Sequence, residues 1–324
     1  MFDILKNKKI FITGSYGFVG KNLINSLRKI QRQYNFDLIN PSKSELNLTN
    51  QIDLEAFFKK EKPNYVIHLA GKVGGIGINK QKPAEFFLDN ILMGTFIIDF
   101  SYKYGVEKIV SLAAGCGYPD NLTPPYKEED FWSGLPDDNS LGYSMAKKNL
   151  IIQSWSYEKQ YNFKSIVLLP SNLYGPYDNF NLDTSHVVPA LIRKVFEAKM
   201  QSKDEIMVWG TGSASREFLH VDDMVEAILL ALIKVNSTGP YNIGTGEETM
   251  IKDLLKVLIS KIGYKGKVNW DKSKPDGQIR RYYDTEKFRK VTGFKNKYSL
   301  EKGLENTLNW YSKNNFNDNF KNSL

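Results

Sequence analysis

The chain has 324 residues, 41% of them hydrophobic and 25% charged, with a formal net charge of +8. That balance excludes a disordered or low-complexity chain and is enough for one large core or two modest ones. A single cysteine excludes an internal disulfide, no apolar run reaches the length of a membrane span, and the stretch from Met1 lacks a signal-peptide pattern, so a cytoplasmic protein is expected. The lysines are dispersed, often beside Glu or Asp, which argues against nucleic acid and for solvated faces whose field gathers an anionic ligand.

In chain order, Lys9-Ile10-Phe11-Ile12-Thr13 reads as a buried strand and Phe18-Val19-Gly20-Lys21-Asn22-Leu23-Ile24 opens a helix. Between them runs Gly14-Ser15-Tyr16-Gly17-Phe18-Val19-Gly20. A glycine loop alone is a weak signal and is often just a flexible turn; between a strand and a helix it has a mechanism. Gly14 permits the tight turn, Gly17 lets the backbone approach a pyrophosphate, and Gly20 lets the helix pack on the strand, while the helix N-terminus offers N–H groups to the anion.

Further apolar runs at 65–70, 108–113 and 165–169 read as buried strands, and 85–104 and 143–161 as helices. This βα alternation predicts an α/β fold with a Rossmann-type doubly wound parallel sheet, whose ligand edge holds Gly71, Cys116 and Asn172. Beyond Pro176, Gly/Pro punctuation and helices at 192–199, 222–234 and 250–262, the second of them with Asp222 as N-cap, indicate a smaller α/β lobe. The expected division is a dinucleotide-binding domain at 1–175 with later returns to the sheet, a lobe at 176–312 that binds mainly the second ligand, and a polar, frayed tail at 313–324.

Tyr143 and Lys147 are four residues apart, one turn along the same face of the 143–161 helix. By itself this spacing is usually a half-buried aromatic beside a solvated lysine. Downstream of a dinucleotide loop it is an acid/base pair for hydride transfer, because a nearby ammonium favours phenolate over phenol.

With His68-Leu69-Ala70-Gly71-Lys72-Val73-Gly74-Gly75-Ile76, Ser185-His186-Val187-Val188-Pro189, Asn172-Leu173-Tyr174-Gly175-Pro176, Arg216-Glu217-Phe218-Leu219-His220-Val221-Asp222-Asp223 and Ser273-Lys274-Pro275-Asp276-Gly277, the chain resembles the extended short-chain dehydrogenase/reductase family, the NAD-dependent epimerases and dehydratases, and within it the fucose-synthase branch. The resemblance runs from about residue 8 to about residue 312. It implies that Tyr143 exchanges a proton with a sugar oxygen, that Lys147 holds the nicotinamide ribose and lowers the tyrosine pKa, and that Cys116 and His186 move protons at the carbons flanking a 4-keto group. It also implies that Gly14, Tyr16, Gly17, Phe18, Val19, Gly20, Asn40, Lys43, Asn47, Leu48, Leu69 and Ala70 join Tyr143 and Lys147 in holding the cofactor, and that Asn172, Arg216 and Lys274 hold the substrate. Cys116 also fits a buried small hydrophobe, His186 a capping or core histidine, and Arg216 an ion pair with Glu217 or Asp222. His68 and His220 read as structural, and no metal site is expected.

Two departures qualify the resemblance. The family's usual Ser or Thr donor to the reacting oxygen is replaced by Ala114, ahead of Tyr118-Pro119. At the end of the second strand, Leu38-Ile39-Asn40 supplies no acid for the NAD ribose, while Lys43 stands where the branch has a phosphate-binding arginine and Tyr16 where it has another. With one cation gone and one kept, the reading leans to NAD over NADP. The function implied is a nucleotide-sugar oxidoreductase acting at C4 of a GDP-linked hexose or heptose, with or without epimerisation at C3 or C5. Its alternatives are a GDP-sugar 4-dehydrogenase with tightly bound NAD and, on Ala114 alone, an inactive cofactor-binding regulator. A homodimer or higher homo-oligomer is expected, pairing through the 85–104 and 143–161 helices, whose Phe96, Ile97, Phe100, Ile151, Ile152 and Trp155 face either a partner or the sheet.

Overall fold

A computed structural model describes residues 2–274 and 276–315; most of the 313–324 tail and Pro275 of the Ser273–Gly277 motif lie outside the described residues. In chain order the first half comprises β1 (Lys9–Thr13), α1 (Phe18–Tyr34), β2 (Asp37–Ile39), α2 (Gln51–Glu61), β3 (Tyr65–His68), α3 (Ile76–Gln81), α4 (Pro83–Lys103), β4 (Lys108–Leu112), α5 (Leu141–Tyr161) and β5 (Ser165–Pro170). Then follow β6 (Asn172–Tyr174), α6 (Val187–Met200), β7 (Glu205–Trp209), β8 (Ser215–Arg216), β9 (Phe218–His220), α7 (Val221–Lys234) and β10 (Tyr241–Ile243). The remainder is β11 (Thr249–Met250), α8 (Ile251–Ile262), β12 (Lys267–Asp271), β13 (Arg280–Arg281), α9 (Glu286–Thr292) and α10 (Leu300–Asn315).

The six-stranded sheet has the order β10-β5-β4-β3-β1-β2, all parallel, so the chain reverses its direction of travel between β1 and β3. Thr13 pairs with His68 and His68 with Ser111. Those registers bring the loops after β1, β3 and β4 to one edge, where an open α/β sheet binds ligands. β3 and β4 are buried along their whole length, as strands covered on both faces must be. One core lies between the sheet, α1 and α7, and includes Ile10, Ile12, Leu23, Ile67, Val110 and Ile228. A second, on the opposite face, includes Phe11, Phe58, Val66, Ile97, Phe100, Ile109 and Leu150. A third, among α6, α8, α10 and β7, gathers Leu191, Ile192, Val208, Leu255 and Leu304.

The side chains proposed for a helix-mediated partner mostly face inward. Ile97, Phe100 and Ile151 are fully buried and Phe96 and Trp155 pack on the same core, because α4 and α5 lie against the sheet; Ile152 is the exposed member, and Leu88 of α4 and Met145 of α5 are exposed as well. The N-cap of α7 is His220 and not Asp222: its Nδ1 accepts from the Asp222 N–H at 3.2 Å, and its ring stacks on Tyr298. An imidazole nitrogen here takes the capping role usually given to a carboxylate.

Candidate active site

At the end of β1, Gly14 adopts φ +69°, and a Cβ there would meet the Ala70 backbone nitrogen at 2.7 Å, so the loop lies directly on the Leu69–Ala70 backbone after β3. A Cβ at Gly20 would run into the Gly14 carbonyl and the Ser15 backbone. These two glycines keep the loop and the first turn of α1 in contact. Gly17 donates to the Gly14 carbonyl at 3.0 Å and caps α1 with no side-chain hydrogen bond, leaving the helix start for an anion.

Beside this loop lies a groove of about 400 Å³, lined by Gly14, Tyr16, Gly17, Lys43, Asn47, Leu48, Ala70 and Gly71 among others. Of the other expected cofactor residues, Asn40 contributes its carbonyl, which accepts from Ser15 Oγ at 3.4 Å, Val19 packs into the core, Gly20 holds the loop, and Leu69 presents its backbone to Gly14. Phe18 begins α1 and does not line the groove. Among the described residues Lys43 has no ion-pair partner, whereas Lys72 is neutralised by Glu85 and Asp89. A glycine-lined cradle and a long groove with an uncommitted ammonium suit a nicotinamide dinucleotide.

Tyr143 stands in the first turn of α5 and Lys147 one turn on. Lys147 Nζ donates to the Leu112 carbonyl at 3.1 Å, and a Cβ on Gly71 would lie 3.2 Å from it, so the ammonium reaches the rim of the groove. Burial brings Lys147 down to about 8. The expected lowering of the Tyr143 pKa is not found: burial, followed by the Cys116 charge, raises it, and the phenol stays protonated. Desolvation of a phenolate outweighs the lysine, whose ammonium is held by a backbone carbonyl.

Cys116 lies in the short turn Gly115–Gly117 after β4, where Ser144 Oγ donates to its Sγ or its carbonyl, each at 3.2 Å; burial pushes the thiol up. His186 precedes α6, but its side chain makes no capping bond. Crowding by the surrounding protein, and then the Arg281 charge, hold its imidazole below the usual range. Asn172 donates to the Glu217 carbonyl at 2.9 Å and accepts from Arg281 at 3.3 Å. Arg216 makes no ion pair with Glu217 or Asp222; its guanidinium binds the carbonyls of Ser215 and Gln278, and burial, with Arg281 nearby, brings it to about 10. Glu217 instead accepts from the Gly246 and Tyr283 N–H groups.

The sequence reading missed Arg281, Trp209 and Lys194. Arg281 pairs in register with Arg216, has no carboxylate ion-pair partner among the described residues, and buries an Nε with no partner. Two adjoining guanidinium groups, neither hydrogen-bonded to a carboxylate among the described residues, suit an anion. The repeat Arg280-Arg281 was the available signal. Trp209 is 64% exposed, with Lys194 and Lys274 ammonium groups 5.5 and 5.6 Å from its ring centre. An exposed indole flanked by cations suits a base carrying a phosphate chain.

The family model described as the NAD dependent epimerase/dehydratase family matches residues 10–244. The chain is 40% identical to GDP-L-fucose synthase 1 of Arabidopsis thaliana, over 95% of this chain and 94% of that protein. Its fold is similar to that of a GDP-6-OMe-4-keto-L-xylo-heptose reductase from C. jejuni, with a TM-score of 0.87 and 30% identity over 95% of this chain and 99% of the other. It is also similar to a GDP-L-fucose synthetase from Naegleria fowleri solved with NADP bound, with a TM-score of 0.86 and 27% identity over 95% of both chains. That bound NADP runs against the leaning to NAD. With the glycine loop at the reversal of the sheet and Tyr143 and Lys147 at the same edge, these matches lead to one conclusion: the chain belongs to the NAD dependent epimerase/dehydratase family and is an NAD(P)-dependent enzyme.

Proposed function

We propose that the enzyme reduces the 4-keto group of a GDP-linked hexose or heptose, using NADP as its dinucleotide, with Cys116 and His186 exchanging protons at a carbon beside the carbonyl. The observation that carries this reading is that Ser144, next to Tyr143 in α5, donates to Cys116 Sγ in the turn after β4 at 3.2 Å, so that the phenol and the thiol come from segments in contact at the ligand edge. A protonated acid at the reacting oxygen suits reduction, and a thiol beside it suits epimerisation. The bound dinucleotide supplies the hydride. Lys147 orients the ribose, Asn172, Arg216 and Arg281 meet the diphosphate side of the sugar, and Trp209 with Lys194 and Lys274 takes the base. NADP is preferred because Lys43 lines the groove uncommitted and residues 38–40 offer no acid to a ribose 2′-hydroxyl.

In this reading residues 1–175, with the later return of β10, form the dinucleotide-binding domain, and 176–312 the sugar-nucleotide lobe. The exposed Leu88, Met145 and Ile152 of α4 and α5 support a homodimer, and a monomer at micromolar concentration in sedimentation would overturn that part. Among the described residues no helix is long and apolar enough to cross a membrane, which is compatible with a cytoplasmic setting.

The test is to release and identify whatever dinucleotide the purified protein carries, before and after incubation with GDP-linked sugars. Protein that binds NADPH and oxidises it with a GDP-4-keto sugar supports the proposal. Retained NADH that grows on adding a GDP-hexose or GDP-heptose would instead establish a 4-dehydrogenase.

A further inference from the structure

The turn after β4 lacks a hydroxyl where one is needed. Ala114 is half-exposed at the ligand edge and donates nothing, while the oxygen of a carbonyl under reduction gains negative charge and benefits from a second donor beside Tyr143. Three serines lie near this edge, and none is free to serve. The Ser111 and Ser171 hydroxyls are sealed inside the protein, and Ser144 is committed to Cys116 and Ser140.

A fourth hydroxyl arrives from a distant segment. A Cβ on Gly115 would fall on the Tyr283 hydroxyl, so that oxygen occupies the space a side chain at 115 would fill, next to Ala114. The position is fixed from several sides. The Tyr283 N–H donates to Glu217 Oε2 at 2.8 Å, and its ring packs on Tyr118 and Tyr126 at centroid distances of 5.5 and 6.0 Å. The Tyr283 ring is itself buried, but its hydroxyl, which makes no hydrogen bond to a described residue, is not sealed off as the Ser111 and Ser171 oxygens are. In extended chain, residues two apart share a face, so Tyr283 follows the partly unpartnered Arg281 to the same side.

We propose that the Tyr283 hydroxyl is the second hydrogen-bond donor to the reacting sugar oxygen, replacing the side chain that Ala114 lacks, and that Gly115 is there to admit it. The inference rests on the reduction proposed above. As hydride reaches the carbonyl carbon, the C=O π pair moves to oxygen and takes the Tyr143 proton; Tyr283 keeps its own proton and stabilises the developing charge.

The test compares Tyr283→Phe, Ala114→Ser/Tyr283→Phe and Gly115→Ala with the wild type, on whichever nucleotide sugar the wild type turns over. Failure on GDP-linked sugars therefore sinks only the substrate reading. Tyr283→Phe is expected to lower kcat by about 10²-fold, the cost of one such donor, with dinucleotide affinity and melting temperature preserved. Adding Ala114→Ser should recover most of that loss, which a merely structural role for Tyr283 would not allow. Gly115→Ala, whose methyl displaces the hydroxyl while the phenol remains, should slow turnover similarly and serves if Tyr283→Phe fails to fold. Wild-type kcat in Tyr283→Phe or in Gly115→Ala, or a loss that Ala114→Ser does not relieve, would overturn the assignment.

Discussion

The two sides of the ligand edge are built differently. The dinucleotide side is assembled from one short segment, Gly14 to Gly20, resting on the backbone after β3, and its determinants are glycines that allow close approach. The side proposed for the sugar draws on Cys116, Asn172, His186 and Arg216, which come from separate segments of the chain and are gathered around Arg281. The first is held by backbone geometry, the second by buried cations and hydrogen bonds, among them Arg281 on Asn172 and Glu217 on the Gly246 and Tyr283 N–H groups. Changes on one side should therefore spare binding on the other.

The largest effect tests the point where the two sides meet. Tyr143→Phe is expected to lower kcat by about 10²- to 10⁴-fold while leaving the affinity for both ligands near wild type. Binding losses as large as the kcat loss would show that Tyr143 anchors a ligand and is not the acid. On the sugar side alone, Arg281→Met removes a charged donor worth about 1.5–3 kcal/mol, so the KM for the nucleotide sugar should rise by about 10- to 100-fold with no change in NADPH affinity. Isothermal titration with each ligand separates the two.

On the dinucleotide side, Gly20→Ala presses a methyl into the Gly14 carbonyl and should destabilise the fold by about 1–3 kcal/mol, weakening NADPH and sparing GDP-sugar binding in the population that remains folded. The smallest effect is the pH dependence. Lys147 has a pKa of about 8, so its ammonium is present below that pH and lost above it. NADPH affinity should fall on a one-proton slope above pH 8, and Lys147→Arg should move that limb upward, because a guanidinium stays charged. An unchanged limb in Lys147→Arg would assign the titration to another group.

The same contrast explains what was legible in the sequence. β1, the loop and α1 were readable because the apolar run, the glycines and the helix start are consecutive. The parallel sheet followed from the βα alternation, and α4 and α5 from the longer segments between its short apolar runs. Asp222 was misread as a cap because its sequence context suits the role, while His220, two residues earlier, has the extended backbone that places its nitrogen on the Asp222 N–H. The expected drop in the Tyr143 pKa failed because i, i+4 spacing reports proximity to Lys147 but not the desolvation that prevails. Arg281 and Tyr283 carry no local pattern; their meaning comes from β13 pairing with β8 and from the gap at Gly115, both products of the tertiary fold.

The most direct test of the account is to mix the purified enzyme, NADPH and a GDP-linked 4-keto hexose in D₂O and follow dinucleotide absorbance and the sugar's proton NMR spectrum together. The expected result is one NADPH oxidised per C4 hydroxyl formed, with solvent deuterium at a carbon next to C4 that is lost in Cys116→Ser. No NADPH oxidation with any GDP-linked 4-keto hexose or heptose would contradict it.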